Sequence, residues 1–274
     1  MIRLKTLLGA AIFSAVAFTG ANACSISAWS AVDSVGVVPA DSGEAPAFSR
    51  YSGRCSLRVI GAATAKYVQD NTPTNANSYK ERVYVNVGNP VADTGAGGFV
   101  FLARDGAGAN LIRVALTGGN LQTTVTGSAA PIPAIPVVAG AYYSIEIEWA
   151  QGAAAPFSIK VQGAGAAAPT TQTTTTNNAA GVLKDVRLGL SAASTGTVFF
   201  DEYDSRRTTA PGRLCRGDAN GNNLIQGNDR VIISNEIAGT ALALGQPDAN
   251  ENGLVQGNDR VVVSNLILAN TLCN

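Results

Sequence analysis

The chain has 274 residues, of which 46% are hydrophobic and 14% are charged, and its 19 basic and 19 acidic residues balance to zero net charge. A chain without excess positive charge has no electrostatic bias toward nucleic acid or anionic lipid, so we expect neither as a partner. The sequence contains no histidine, which excludes Ser-His and Cys-His nucleophile pairs and histidine-ligated zinc.

The N-terminus has the pattern of a secretory signal peptide over residues 1–23. Two basic residues precede an apolar run from Leu7 to Phe18, and small residues follow up to a cleavage site at Ala23. The run is too short for a membrane span, so we predict export to the exterior or surface of a bacterial cell and no transmembrane segment. The mature chain would begin at Cys24, and a lipid-modified cysteine there is the alternative.

The chain has four cysteines, an even number that predicts two disulfides in an exported protein. Three pairings are open to them. We favour Cys24–Cys55 and Cys215–Cys273, because the second pair brackets a duplicated C-terminal segment and would tie its ends together. Free buried thiols are the alternative.

Residues 24–207 are rich in Gly, Ala, Thr and Val and contain short runs of alternating hydrophobicity between turn residues. The number and spacing of these runs predict an antiparallel jelly-roll sandwich, so the protein is expected to be mainly β. Within this region, the threonine-rich stretch 164–180 is predicted to be an exposed loop. The ten predicted strands are Ser56–Ile60, Lys66–Gln69, Glu81–Val87, Phe99–Arg104, Leu111–Leu116, Leu121–Val125, Tyr142–Trp149, Phe157–Val161, Leu183–Leu190 and Val198–Tyr203.

The clearest strand runs from Tyr143 to Trp149, where apolar and polar residues alternate, so that one face is buried and the other is wet. Glu146 and Glu148 fall on the wet face. They form the one pair on a convincing strand with the spacing of glycosidase carboxylates. We expect both to be solvated and assign no catalytic residue.

The end of this region resembles a known fold family. The run Thr197–Arg207, which contains Phe-Phe-Asp-Glu-Tyr, is similar to the late strand of concanavalin A-like, or laminin-G-like, jelly rolls of secreted bacterial proteins. The resemblance implies a carbohydrate-binding role. Glycosidases of that fold resemble a Glu-Xaa-Asp-Xaa-Xaa-Glu pattern, and Glu146–Gln151 lacks its Asp and its final Glu. The aromatic residues that are candidates for sugar platforms, with burial in the core as the alternative, are Trp29, Tyr51, Tyr67 and Tyr84.

After a hinge predicted at 208–214, a twelve-residue segment occurs twice, as Asp218–Asp229 and Asp248–Asp259. Each copy has side-chain oxygens at positions 1, 3, 5 and 12, which is the spacing of an EF-hand-type calcium loop. Position 6 needs a positive φ, which suits Gly253 in the second copy and is tolerated by Asn223 in the first.

The pattern predicts two bound calcium ions, although Asp, Asn and Gly also mark simple turns. Each loop has two formal negative charges, so we expect weak affinity, roughly 10⁻⁵ to 10⁻³ M. The predicted metal ligands include the carbonyl at position 7 and a glutamine at position 9 that holds a water. They are Asp218, Asn220, Asn222, Leu224, Gln226 and Asp229 in the first loop, and Asp248, Asn250, Asn252, Leu254, Gln256 and Asp259 in the second.

Apolar residues at helical spacing follow each loop, over Arg230–Ile237 and Arg260–Ile267, and no helical pattern precedes either loop. A loop followed by one helix, duplicated and ending in Asp, resembles the dockerin type I module of polysaccharide-degrading assemblies. The resemblance implies a small helical calcium module over 215–274 and a cohesin-like protein partner. By resemblance the partner-binding residues are Gly227, Asn228, Ser234, Asn235, Gly257, Asn258, Ser264 and Asn265.

Together these features predict a secreted, non-catalytic binding protein. Its sandwich would bind carbohydrate, and its C-terminal module would attach it to a protein partner in the presence of calcium. The alternative is a polysaccharide-active glycoside hydrolase or lyase that carries the same module.

Overall fold

The computed structural model describes residues 26, 28–32, 37–41, 50–88 and 98–273, without the side chains of 37–41. The predicted signal peptide and Cys24 lie outside the described residues.

Two antiparallel sheets packed face to face make up most of the described chain, so the predicted mainly-β sandwich is confirmed. The first sheet has the strand order β1-β4-β13-β6-β7-β8-β9 and the second has the order β12-β11-β10-β5-β14-β3-β2. The strands are β1 Ala31–Val32, β2 Val37–Asp41, β3 Cys55–Ile60, β4 Lys66–Asp70, β5 Ser78–Asn86, β6 Phe101–Asp105, β7 Asn110–Thr117, β8 Asn120–Val125, β9 Ile135–Pro136, β10 Tyr142–Ala150, β11 Ala155–Gly163, β12 Thr170–Thr176, β13 Leu183–Leu190 and β14 Thr197–Arg206.

All ten predicted strands are present, with ends that differ by a few residues. The prediction that 164–180 is a loop was wrong, because Thr170–Thr176 forms β12 at the edge of the second sheet. β12 pairs antiparallel with β11 along its whole length. Threonine is β-branched and suits a strand, and an edge strand needs no continuous apolar face, so composition alone hid it.

The core lies between the sheets and follows the alternation predicted for β10. Ile145 and Ile147 are fully buried and Trp149 is 2% exposed, while Glu146 and Glu148 are half-buried on the outer face of the second sheet. Each fully buried isoleucine contributes about 1.5–3 kcal/mol of hydrophobic stabilisation.

The C-terminal segment contains two helices, α1 Gly227–Ile237 and α2 Gly257–Leu268, which pack on each other through Ile233 and Val263. Each begins three residues earlier than predicted, because an aspartate of the preceding loop accepts a hydrogen bond from the N-cap residue. Neither helix has the length and apolar character needed to span a membrane.

A disulfide joins Cys215 to Cys273, as predicted. Cys55 is also disulfide-bonded.

Candidate functional site: paired loops and the outer face of the second sheet

The first loop is built around the carboxylate of Asp218. Its Oδ1 accepts hydrogen bonds from Gly221 N at 2.9 Å and Asn222 N at 3.1 Å, and its Oδ2 accepts one from Asn223 N at 2.7 Å. The Oδ1 atoms of Asn220 and Asn222 each accept a backbone bond from two residues further along. These bonds turn the loop around the side chains at positions 1, 3 and 5.

The second loop repeats this arrangement around Asp248. The Asp248 carboxylate accepts from Asn252 N at 3.1 Å and from Gly253 N at 2.6 Å. Asn250 Oδ1 accepts from Asn252 N at 3.0 Å, and Asn252 Oδ1 accepts from Leu254 N at 2.9 Å. The duplicated sequence therefore folds into a duplicated backbone.

Position 12 connects each loop to its helix. Asp229 and Asp259 are fully buried, and their Oδ1 atoms accept from the backbone of position 3 at 3.2 and 3.1 Å. Their Oδ2 atoms accept from the backbone of Gln226 at 2.7 Å and Gln256 at 2.8 Å. One carboxylate thus closes the loop and begins the helix.

The backbone at position 6 has the predicted positive φ, which is 62° at Asn223 and 86° at Gly253. The Leu224 and Leu254 side chains at position 7 point outward and are 51% and 43% exposed.

The side-chain donors at positions 1, 3, 5 and 12 of both loops are oxygens, the ligand type that a hard cation prefers. Burial and the Asp218 charge both raise the pKa of Asp229, against backbone hydrogen bonds that lower it. In the second loop, burial raises the pKa of Asp248 to about 7, and the Asp259 charge adds to the shift. Two facing carboxylates surrounded by amide oxygens are a chemistry that suits Ca²⁺.

The described residues contain no group of three or more His, Cys, Asp or Glu side chains placed to hold a metal. Each loop offers two carboxylates, so amide and carbonyl oxygens would have to complete the coordination.

The predicted partner-binding residues lie along the outer sides of α1 and α2. Ser234 and Ser264 are half-buried and donate to the carbonyls of Arg230 and Arg260, both at 2.7 Å, while the remaining six are exposed. Val231 and Val261, which sequence reasoning did not select, lie on the same sides and are each 58% exposed.

The second loop contacts the sandwich through Glu251, a residue that sequence reasoning missed. Glu251 is 6% exposed, and its Oε1 accepts a hydrogen bond from Tyr51 Oη at 2.7 Å. The same oxygen pairs with the Arg213 guanidinium, and Oε2 accepts from Gly165 N at 3.1 Å. Tyr51 lies 200 positions away in the sequence, so no local pattern indicated this contact.

Tyr51 and Tyr84, two of the candidate sugar platforms, are buried beneath this contact. Their rings stack with centroids 3.7 Å apart, and Tyr142 meets Tyr51 edge-on at 5.6 Å. The Asp201 carboxylate holds the Tyr51 backbone by accepting from its N–H at 2.7 Å. Burial raises the pKa of Asp201 to about 7. The core alternative is therefore correct for Tyr51 and Tyr84.

The other two aromatic candidates are half-buried. Trp29 packs on Tyr203 with ring centroids 5.2 Å apart, and Tyr67 lies under the guanidinium of Arg187 at 4.1 Å.

The segment 208–214, predicted to be a hinge, is bound to the sandwich in its second half. Arg82 donates to Gly212 O at 2.9 Å, and Tyr84 Oη accepts from Leu214 N at 2.8 Å. These contacts hold the start of the C-terminal module against the outer face of the second sheet.

A groove of about 640 Å³ opens at the other end of the same outer face. Lys80 Nζ lies 2.9 Å from Glu148 Oε2, and Lys160 Nζ lies 3.4 Å from Glu148 Oε1. The hydrogen bond from Lys80 lowers the pKa of Glu148, and the charges of both lysines add to the shift. Glu148 is therefore an ion-paired carboxylate, whereas the sequence predicted a solvated one. Hydroxyl groups on the groove wall come from Ser78, Ser158, Thr173, Thr174 and Thr175.

No protein-family model matches this chain, and no curated protein matches it either. Among solved structures, the chain is similar to an endo-β-1,4-glucuronan lyase from the fungus Trichoderma reesei. That similarity has a TM-score of 0.51 and 14% sequence identity, and it covers 67% of this chain and 92% of the lyase. It shows a shared sandwich fold.

Two further solved structures match with lower scores. A family 131 β-glucanase catalytic domain from Podospora anserina has a TM-score of 0.42 and 10% identity, over 66% of this chain and 83% of that domain. An alginate lyase has a TM-score of 0.38 and 12% identity, over 59% of this chain and 85% of that enzyme.

Proposed function

We propose that the protein acts on a polysaccharide, and we prefer cleavage of that polysaccharide to the non-catalytic binding favoured by the sequence. The observation that carries this proposal is the shared sandwich fold, which covers nearly the whole length of a glucuronan lyase. Because fold alone does not assign activity, the chemistry has to come from the groove on the outer face of the second sheet.

The groove has the chemistry of a site for an acidic polysaccharide. Hydroxyl groups on its wall suit hydrogen bonds to sugar, and the ammonium group of Lys80 on the wall suits a uronate carboxylate, with Lys160 beside the groove as a second cation paired to Glu148. Glu148 holds both lysines on the same side of the sheet. The two lysine ammonium groups in contact with Glu148 favour its carboxylate form, which has no proton to donate as a general acid. We therefore place elimination ahead of acid-assisted hydrolysis.

The test is to incubate the whole protein with glucuronan, alginate and a neutral β-glucan. Elimination leaves a carbon–carbon double bond that absorbs ultraviolet light, whereas hydrolysis yields reducing ends without that absorbance. We expect absorbance and reducing ends to rise together on a uronate polymer. Co-sedimentation without cleavage would support the non-catalytic alternative, and neither binding nor cleavage on any polymer would overturn the proposal.

Removal of the groove cation tests where the polymer is held. We expect Lys80→Ala to lower kcat/KM about tenfold on a uronate polymer, because Lys80 lines the groove and a charge-assisted contact to the substrate is lost. Lys184→Ala, on β13 of the other sheet, is the matched control and should leave kcat/KM unchanged. Equal rates for both variants would place the substrate elsewhere.

For the C-terminal module, we propose that each loop binds one calcium ion through the oxygens named above. The support is the donor set, whose hydrogen-bonding pattern repeats in the two loops, and the two buried aspartates at position 12. The N-terminal pattern predicts export. An exported protein would bring these loops, for which weak calcium affinity is expected, into a calcium-rich medium.

Hydrogen exchange on the whole protein tests calcium binding. We expect α1 and α2 to lose protection when EDTA is added and to regain it with calcium, because metal binding and folding are coupled in small modules. Asp229→Asn and Asp259→Asn should each remove one binding site in calorimetry. If EDTA leaves the hydrogen-exchange protection of both helices unchanged and calorimetry detects no heat of calcium binding, the proposal is ruled out.

The outer sides of α1 and α2 are proposed as the binding faces for a cohesin-like protein. Their four candidate residues are identical in the two copies, which suits two alternative docking orientations. Substitution of Asn228 and Ser234 alone should leave the affinity for such a partner nearly intact. Substitution of Asn258 and Ser264 as well should abolish it. A large loss of affinity after substitution on one helix alone would show that the two docking orientations are not equivalent.

A further inference from the structure

The two loops differ at position 4, and this difference breaks the symmetry of the module. Position 4 is Gly221 with φ 75° in the first loop and Glu251 with φ 56° in the second. Left-handed backbone is easy for glycine and strained for a residue with a Cβ atom. A glutamate kept in this conformation must gain enough from its side-chain contacts to offset that strain.

The side chain of Glu251 gains those contacts outside its own loop. It is nearly buried, with Oε1 bonded to Tyr51 Oη and to the Arg213 guanidinium, and with Oε2 bonded to Gly165 N. Among the described residues, no hydrogen bond joins the first loop to the sandwich. The second loop is therefore the one whose conformation depends on the sandwich.

The contact and the candidate metal site share one piece of backbone. Asn250 and Asn252, which flank Glu251, are candidate ligands at positions 3 and 5, and the Asp248 carboxylate organises the same turn. Calcium in the loop would order this turn, and so does the contact of Glu251 with the sandwich. When two binding events order the same segment, each lowers the entropic cost of the other.

We propose that calcium binding in the second loop and docking of the C-terminal module on the sandwich are mutually dependent, whereas the first loop binds calcium independently of docking. The proposal rests on calcium binding by the loops, as proposed above. It makes the second loop a calcium-dependent attachment of the module to its own sandwich, in addition to any external partner.

The test uses the whole protein and a change on the sandwich side, outside both loops and at a residue that is not itself a candidate ligand. Tyr51→Phe removes the hydroxyl bonded to Glu251 and keeps the ring that stacks on Tyr84. Tyr143→Phe is the matched control, because its hydroxyl accepts from Val138 N at 2.9 Å in a different contact. Calcium binding is followed by calorimetry.

Terbium luminescence gives a second readout. Residues 215–274 contain no Phe, Tyr or Trp. Sensitised Tb³⁺ emission from a loop must therefore come from aromatic residues of the sandwich, and it reports docking directly.

We expect Tyr51→Phe to weaken calcium binding at one of the two sites about tenfold and to leave the other unchanged. Glu251→Gln should affect the same site and, because it keeps every aromatic donor, should lower sensitised Tb³⁺ emission only through loss of docking. Tyr51→Phe is followed by calorimetry alone, since it removes a donor beside the loop, and Tyr143→Phe should leave calcium binding unchanged. Two calcium sites that are both unaffected by Tyr51→Phe would overturn the coupling and leave calcium binding standing. No calcium binding in the unmodified protein would overturn both.

Discussion

Glu81 is a carboxyl group buried on the core face of β5, beside Tyr79 and Val83. Its exposure is zero, and neither side-chain oxygen has a hydrogen-bond partner among the described residues. Burial raises the pKa of Glu81 well above its ordinary value, Arg82 opposes the shift, and Glu146 adds to it. The neutral acid is therefore the favoured form inside the sandwich.

Because its pKa is raised, Glu81 lowers the free energy of unfolding by an amount that depends on pH. The folded state holds the proton to a higher pH than the unfolded state does, so stability falls as pH rises above the unfolded pKa of about 4.3. Relative to the natural protein, Glu81→Gln should gain about 1.4 kcal/mol for each pH unit above that value, until the folded pKa is reached.

Urea unfolding at several pH values measures this difference in the free energy of unfolding. Asp204→Asn, in the partly exposed pair with Arg206 and without influence on Glu81, is the control and should stay within about 0.5 kcal/mol at every pH. A free-energy difference for Glu81→Gln that does not vary with pH would show that Glu81 ionises normally.

At the scale of single elements, the C-terminal module depends on a cross-link as well as on packing. Its buried apolar cluster consists of Ala219, Ile233, Ala243, Ala249 and Val263, of which three are alanines. So small a core buries little surface, and the Cys215–Cys273 disulfide closes a loop with a sequence separation of 58.

Replacement of both Cys215 and Cys273 by serine should destabilise the module by about 4 kcal/mol, from the loop-closure entropy of a segment of this length. Hydrogen exchange at α1 and α2 measures the loss, with the strands of the first sheet as an internal control. Unchanged exchange at both helices would mean that packing and bound ions hold the module without the cross-link.

At the scale of the whole molecule, a buried ion pair joins the module to the sandwich. Arg50 and Glu236 have side chains that are 8% and 9% exposed and lie in direct contact. Glu236 also accepts from Ala243 N at 2.8 Å, so the pair connects the sandwich to the segment between the loops. Removal of one partner leaves the other charge buried and unpaired.

We expect Arg50→Ala to destabilise the docked module by about 3 kcal/mol, and Glu236→Ala in addition to recover part of that loss. In calorimetry at saturating calcium, the single variant should separate unfolding of the module from unfolding of the sandwich. Arg206→Ala, which breaks the more exposed pair with Asp204, should keep the transition of the natural protein. If the module and the sandwich of Arg50→Ala still unfold in one thermal transition, this ion pair does not join them.

The sequence by itself determined the features that rest on local pattern. Period-two alternation predicted the ten strands and the inward face of β10, and two copies of one loop pattern predicted the turns at Asn223 and Gly253. Only the tertiary structure decided where β12 lies, because an edge strand is defined by its neighbour and not by its own composition. The burial of Tyr51 and Tyr84 and the role of Glu251 were also decided there. The residues that contact Tyr51, Tyr84 and Glu251 are distant in the sequence. Which face of a strand or loop becomes buried therefore depends on the tertiary fold.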